Sequence, residues 1–252
     1  MSTLIINSEK GYSIIQLNRG NSNPINQEMV DELKLRIEEF EEDENCKGII
    51  LTGKERFFSA GLDVIEMYDY DQFQMETFWR SFHELLKTMV SFSKPMIAAI
   101  TGHSPAGGCI LALCCDYRVM ASGKFKIGLN EISVGVLAPP AITTLYSFAI
   151  GRSLAYQYLM EAKLMNADEA LSCHLIHEVV EESEVFNAAQ KKMQQYLSFN
   201  QEAWRGTKKQ IRATLFRKLD LDFSKAFKPT MQAWWSDEGR SHLGVLVNSL
   251  TK

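Results

Sequence analysis

The sequence predicts an α/β fold, on three observations. Apolar runs of strand length alternate with longer segments of helical spacing, one such run passes through a glycine-rich turn into an apolar helix, and two alternating segments open the chain. Leu4 to Asn7 and Tyr12 to Leu17 flank Glu9-Lys10-Gly11, the pattern of a hairpin. Gln27 to Glu42 sets Met29, Leu33, Leu35, Ile37 and Phe40 at mostly helical spacing, with acids and Lys34 between them. Gly48 to Thr52 reads as a strand, and a helix falls within Tyr70 to Ser91. Met96 to Ile100 is short enough for a buried strand, which Thr101-Gly102 ends. A helix follows at Gly107, then a strand over Tyr117 to Ala121. Beyond about residue 140 the pattern is mostly helical, through Ser153 to Glu161, Ala167 to Ser172, Glu184 to Leu197, Gln201 to Phe216 and Phe223 to Leu250, with a strand at Ile176 to Val180. No repeat or low-complexity linker interrupts it, so the one boundary suggested is a soft one: a core domain over 1–195 and a helical region over 196–252.

A chain of 252 residues, 46% hydrophobic and 23% charged, has the composition of a soluble globular enzyme of one or two domains. Its net charge of −4 gives no general attraction to phosphate backbones, so nucleic acid is not an expected partner. The opening Met-Ser-Thr-Leu-Ile-Ile-Asn carries no basic leader with a long apolar segment, and no run approaches the roughly 18 apolar residues of a spanning helix. A cytoplasmic protein without membrane contact is expected. The five cysteines, with Cys114-Cys115 in an apolar helical stretch, fit reduced buried thiols better than a disulfide framework. His174-x-x-His177 has metal-compatible spacing but lies at a helix-to-strand junction with only Glu178 nearby, so no metal site is expected. His103 beside the glycine-rich turn reads as structural.

The chemistry concentrates around that turn. Ala106, Gly107 and Gly108 offer nearly bare backbone at a helix start, where the first N–H groups lack partners and the dipole favours negative charge. A second loop, Phe57-Phe58-Ser59-Ala60-Gly61-Leu62-Asp63, follows the strand ending at Thr52 with small residues at its turn. Two N–H donors from separate loops would make a hole for an oxyanion. Glu131 stands among apolar neighbours in Ile127 to Pro139, either facing solvent or buried as a base whose pKa burial would raise.

Ser-Ala-Gly-Leu-Asp at 59–63, Pro-Ala-Gly-Gly-Cys at 105–109, Cys-Asp-Tyr-Arg at 115–118 and Ile-Gly-Leu-Asn-Glu at 127–131 stand in an ordered series. In this the chain resembles the crotonase superfamily, the enoyl-CoA hydratase/isomerase family, and within it most the mitochondrial-type Δ3,Δ2-enoyl-CoA isomerases. The similarity runs from about residue 3 to about residue 195. It implies a crotonase-like spiral of ββα units whose C-terminal helices assemble a homotrimer or hexamer. It also implies an acyl-CoA thioester substrate and no cofactor beyond the coenzyme A of that substrate. Leu62 and Gly107 match the family's oxyanion donors, and Glu131 matches its catalytic carboxylate. The hydratases' second carboxylate would stand three residues after Gly107, where this chain has Ile110. Hydration needs a held and activated water, whereas moving a proton between two carbons needs one base, so the resemblance implies isomerisation of 3-enoyl-CoA to 2-enoyl-CoA in fatty acid β-oxidation. Glu66 or Glu161 could supply the missing acid and reverse that choice.

Other positions follow from the same resemblance. Asn23-Pro24-Ile25-Asn26 matches the loop along coenzyme A, the alternative being a turn with an N-cap at Asn26. Ala60, Asp63 and Ile65 match the adenine pocket, the alternative for Asp63 being a cap on its loop or helix; Gly108 continues the Gly107 loop. Asn130 orients Glu131 or satisfies local backbone. The chain departs from these isomerases at Leu137-Ala138-Pro139-Pro140, where they carry bulky aromatics, so its acyl pocket is wider or is filled from another helix such as Tyr70 to Trp79. His174 takes the place of a helix-ending glycine and is expected in the left-handed region. Arg205, Lys208, Lys209 and Arg212 read as a solvated helix face, the alternative being neutralisation of coenzyme A phosphates. Met231 and Trp234-Trp235 serve a subunit interface or the core. The alternatives in function are hydration or decarboxylation of another acyl thioester, or a non-catalytic acyl-CoA- or RNA-binding homologue.

Overall fold

The structure, a computed structural model, describes residues 2–9 and 11–251, so Met1 in the opening segment and Lys10 in the predicted hairpin turn lie outside the described residues. The chain opens with the hairpin β1 (Leu4–Glu9) and β2 (Tyr12–Leu17), followed by α1 (Gln27–Glu42). Three strand pairs come next, one strand of each in a large sheet and the other in a small one. They are β3 (Ile49–Thr52) with β4 (Arg56–Phe57), β5 (Met96–Ile100) with β6 (Gly102–Pro105), and β7 (Tyr117–Ala121) with β8 (Ile127–Gly128). Between the first two pairs run α2 (Val64–Tyr68) and α3 (Gln72–Ser91), and between the second two runs α4 (Gly107–Cys114). The large sheet is completed by β10 (Glu178–Val180) in the order β1-β2-β3-β5-β7-β10, parallel except for the opening hairpin. The small sheet, β4-β6-β8-β9, is closed by β9 (Leu164–Met165).

This turning from sheet to sheet depends on bare backbone at the corners. A Cβ on Gly102, the first residue of β6, would stand 2.1 Å from the Arg56 carbonyl, so only glycine lets β6 pass β4. Both faces of the large sheet are covered, which explains its continuous apolar runs. Ile49 and Leu51 face the main core with Phe58, Phe78, Trp79 and Phe82, while Ile50 and Ile97 face Val185, Ala189 and Met193 of α8 (Val185–Leu197).

The remaining helices are α5 (Pro140–Ile150), α6 (Arg152–Met160), α7 (Ala167–Ser172), α9 (Gln201–Leu219), α10 (Phe223–Trp235) and α11 (Asp237–Leu250). The helix expected within Tyr70 to Ser91 is found as α3, opened at Gln72 by the capping box of Asp71 and Gln74 and preceded by the separate short α2. Three differences from the sequence reading have local causes. α5 was not expected; Pro140 sits at its first turn, where a missing N–H costs nothing. The single helix expected over Phe223 to Leu250 breaks at Ser236, which caps α11 through the Gly239 N–H. The short strands of the small sheet carry too few residues to show alternation. His174 does adopt a left-handed φ of 62°, as its place at the end of α7 implied.

The basic stretch of α9 is a correction. Lys208, read as part of a solvated face, is buried and donates to Asp116 at 2.7 Å and to the Lys94 carbonyl at 2.8 Å. Arg212 meets the other Asp116 oxygen at 2.9 Å and donates to the Cys114 carbonyl. These charges dock α9 onto the end of α4 rather than facing a ligand. Asp116→Ala would leave two cations buried without their carboxylate and is expected to lower stability by about 3–5 kcal/mol, measured by urea denaturation. All five cysteines are free and buried, and burial pushes the Cys109, Cys114 and Cys115 thiols well up. Among the described residues no helix is long and apolar enough to cross a membrane.

Candidate active site

Two loops of the spiral bring backbone amides together. Ala106, with φ 48° and ψ −119°, occupies a region that non-glycine residues rarely enter, and its N–H is fixed to the Gly128 carbonyl at 2.8 Å. That kink starts α4 at Gly107, whose N–H, as the first of the helix, has no carbonyl behind it. On the facing loop, Ile25 N–H donates to the Gly61 carbonyl and Asp63 N–H to the Ile25 carbonyl, each at 2.8 Å. These bonds flank Leu62 and leave its own N–H directed away from Ile25. A methyl group on Gly107 would stand 3.2 Å from the Leu62 nitrogen, and one on Gly61 would stand 3.3 Å from the Gly107 nitrogen. The two amides therefore lie within one residue's width, with no side chain between them.

Glu131 opens a 3₁₀ turn, Glu131–Val134, which Gly135 ends in the left-handed region at φ 76°. Its side chain is buried, and among the described residues Oε2 has no hydrogen-bond partner. Burial pushes its carboxyl pKa up to about 7, only weakly opposed by a bond from its own backbone N–H. Glu131, Leu62 and Gly107 line one cavity of about 620 Å³. Pro24, Ala60, Asp63 and Ile65 line it as well, as does Asn130.

Other acids reach this cavity, but most are engaged. Asp63 accepts from Arg19 and N-caps α2 through the Glu66 N–H. Glu66 accepts from Arg19 at 2.7 Å, from the Tyr70 hydroxyl at 2.6 Å and from Asn26 at 3.0 Å. Asp69 is exposed at the end of α2. Glu161 lies outside the lining and accepts from Gln157. Ile110 is fully buried and contributes no polar atom.

Three of the expected positions stand behind the cavity rather than in it. Asn23, fully buried, accepts from the Arg19 N–H and donates to the Phe58 carbonyl, holding the loop in place. Ile25 packs under Gly107 and bridges to Leu62. Gly108 lets α4 approach Ser59, whose carbonyl oxygen would be 2.6 Å from any added Cβ. Asn26 caps α1 by accepting the Met29 N–H. Asn130 leaves its side chain uncapped, and its carbonyl accepts the Ser133 hydroxyl. His103 packs between Phe57 and Phe125. His177 stacks on Tyr117 and accepts the Arg118 N–H, with its pKa pushed down to about 4 by burial and by Arg118.

Sequence reasoning missed part of the wall. Trp79 and Phe82, at i and i+3 of α3, line the cavity together with Ile142 of α5 and Trp234 of α10. Filling from α3 was the option left open; the spacing of Trp79 and Phe82 carried that signal. Trp234 is buried here, so the core, not a subunit contact, accounts for it. Arg19, in an irregular loop, gave no sign.

The arrangement places two backbone amides and a desolvated carboxylate on one largely apolar cavity. The enoyl-CoA hydratase/isomerase family matches residues 7–233 of the chain. The chain is 36% identical over 204 residues to enoyl-CoA delta isomerase 1, mitochondrial, of Mus musculus, covering 80% of this chain and 71% of that one. It is 30% identical over 230 residues to the short-chain-enoyl-CoA hydratase of Clostridium acetobutylicum, covering 90% and 87%. The crystal structure of human mitochondrial delta3-delta2-enoyl-CoA isomerase superposes with a TM-score of 0.95 at 27% identity, covering 99% of this chain and 98% of that one. With this match along most of its length and the crotonase-like fold to accompany it, the chain belongs to the enoyl-CoA hydratase/isomerase family.

Proposed function

We propose that the protein is a Δ3,Δ2-enoyl-CoA isomerase that moves the double bond of a 3-enoyl-CoA to the 2-position, in fatty acid β-oxidation. The observation that carries the reading is that, among the described residues, Glu131 is the one buried acid of the cavity without a hydrogen-bond partner on Oε2, while the hydratase partner position is the apolar Ile110. In the proposed cycle the thioester carbonyl oxygen accepts from the N–H groups of Leu62 and Gly107. Glu131 removes a proton from C2, and the negative charge spreads into a dienolate that those fixed donors stabilise more than the neutral substrate. Protonated Glu131 then delivers the proton to C4. Pro24, Ala60, Asp63 and Ile65 run along the coenzyme A arm, and Asn23, Ile25 and Gly108 shape that loop from behind. Asn130 adjoins the base. The cycle draws on no cofactor beyond the substrate's own coenzyme A.

Hydration is the second reading, favoured by the 30% identity to a hydratase. Incubation of purified protein with a 3-enoyl-CoA in deuterated water separates the two. The expected product is 2-enoyl-CoA, with deuterium at C4 only to the extent that the Glu131 proton exchanges during the cycle. A 3-hydroxyacyl-CoA as the main product would rule the isomerase reading out. We further infer a homotrimer or a dimer of trimers, built through the helical region 196–252; a monomer by sedimentation would exclude it. The mouse relative named above is mitochondrial, whereas a cytoplasmic location is expected for this chain; imaging of the tagged full-length protein decides the compartment.

A further inference from the structure

The last helix lies over the cavity with little of itself buried. Of α11, Gly239 and Leu243 are buried, while Val245 is 70% and Leu250 55% exposed. Yet Leu246 and Leu250 line the same cavity as Glu131, Leu62 and Gly107. The helix is fastened to both banks of that cavity. On the α2 bank, the Arg240 guanidinium stacks 3.6 Å from the centroid of the Tyr68 ring and donates from both Nη atoms to the Tyr68 carbonyl at 3.1 Å. Gly244 leaves room there for the Tyr68 hydroxyl, which would be 3.2 Å from an added Cβ. On the Glu131 bank, the Cα of Gly135, which ends the Glu131 turn, faces His242 so closely that a Cβ would stand 2.9 Å from the His242 Cβ. With one side chain, Leu243, fully buried, apolar burial alone holds α11 weakly, and the Arg240–Tyr68 clasp supplies the directional contact.

We propose that α11 is the wall against which the acyl thioester is held, and that Arg240 is a positioning residue setting the affinity for acyl-CoA through its clasp on Tyr68. This rests on the acyl-thioester reading above. With the clasp broken, the Leu246–Leu250 edge no longer closes the cavity, and a bound acyl thioester loses apolar contact on that side. Glu131, Leu62 and Gly107 sit on other elements, so the chemical step in the bound complex is untouched.

The test compares Arg240→Ala, Arg240→Lys, Leu250→Ala and Val245→Ser with the wild type. Readouts are kcat and KM for a 3-enoyl-CoA and Kd for decanoyl-CoA, which has no double bond to move; circular dichroism checks folding. Arg240→Ala is expected to raise KM and Kd about tenfold with kcat changed by less than about twofold, and Arg240→Lys to recover part of that loss. Leu250 is exposed enough that its truncation leaves the core intact, and Leu250→Ala is expected to raise both constants about threefold. Val245→Ser, on the solvent face, should change neither. Wild-type KM and Kd in Arg240→Ala and Leu250→Ala, or a fall in kcat alone, would overturn the wall. If the wild type binds decanoyl-CoA without isomerising a 3-enoyl-CoA, the reaction assignment fails while the Kd comparison still decides the wall. If it binds no acyl-CoA, both fall.

Discussion

Glu131→Gln is expected to cut turnover of a 3-enoyl-CoA by about 10³- to 10⁴-fold and, at pH 8, to make the folded chain more stable than the wild type. The two effects share one cause. Burial raises the carboxyl pKa from its ordinary 4.5 to about 7, so the fold prefers the neutral acid. The stability this contributes is fully present below 4.5 and is lost as pH rises through about 7. Glutamine has nearly the same shape and stays neutral, so it does not suffer that loss. The expected gain is about 3 kcal/mol at pH 8 and under about 1 kcal/mol at pH 5, read by denaturant titration at both values. The activity limb has the opposite sign: proton removal needs the carboxylate, so kcat/KM of the wild type should climb with pH and level off above about 7. An inactive variant that is also destabilised at pH 8 would mean that Glu131 supports the fold rather than serving as the strained base.

Much of this was legible from local chemistry. The glycine-rich turn after Met96 to Ile100 announces a helix N-terminus with free amides, and the helix found there begins at Gly107. Buried strands such as Met96–Ile100 and Tyr117–Ala121 are bounded where their apolar runs stop, because both faces of the sheet are covered. What local pattern could not show was assembly over distance. Arg19 meets Asp63 and Glu66 across more than forty residues of sequence, and that engagement ties up both acids while Glu131 stays buried and unpaired among the described residues. Lys208 looks like a surface residue until Asp116 is placed beside it. The positive φ of Ala106 is equally invisible: no glycine marks it, and the Gly128 carbonyl and the facing Gly61 loop hold it in place.

Gly107→Val and Gly108→Ala, adjacent substitutions in one turn, are expected to fail in opposite ways. At Gly107 the contacts of an added Cβ are the tips of Ile25 and Leu62 at 3.1 Å and the Leu62 nitrogen at 3.2 Å, a crowding that shifts of a few tenths of an ångström relieve. The backbone there is not in the left-handed region, so valine is tolerated in the fold while its methyl groups occupy the space between the two amides. A thioester oxygen can then no longer reach both donors, and kcat/KM is expected to drop about 10²- to 10³-fold at nearly unchanged melting temperature. At Gly108 the first contact is the Ser59 carbonyl oxygen at 2.6 Å, fixed backbone with no room to retreat. Even alanine forces α4 off the facing loop, at a cost of about 1–3 kcal/mol, and activity falls only as far as the amides are displaced with it. If Gly107→Val instead melts early and keeps its specific activity, the gap between Leu62 and Gly107 is a packing feature and the oxyanion must be sought elsewhere.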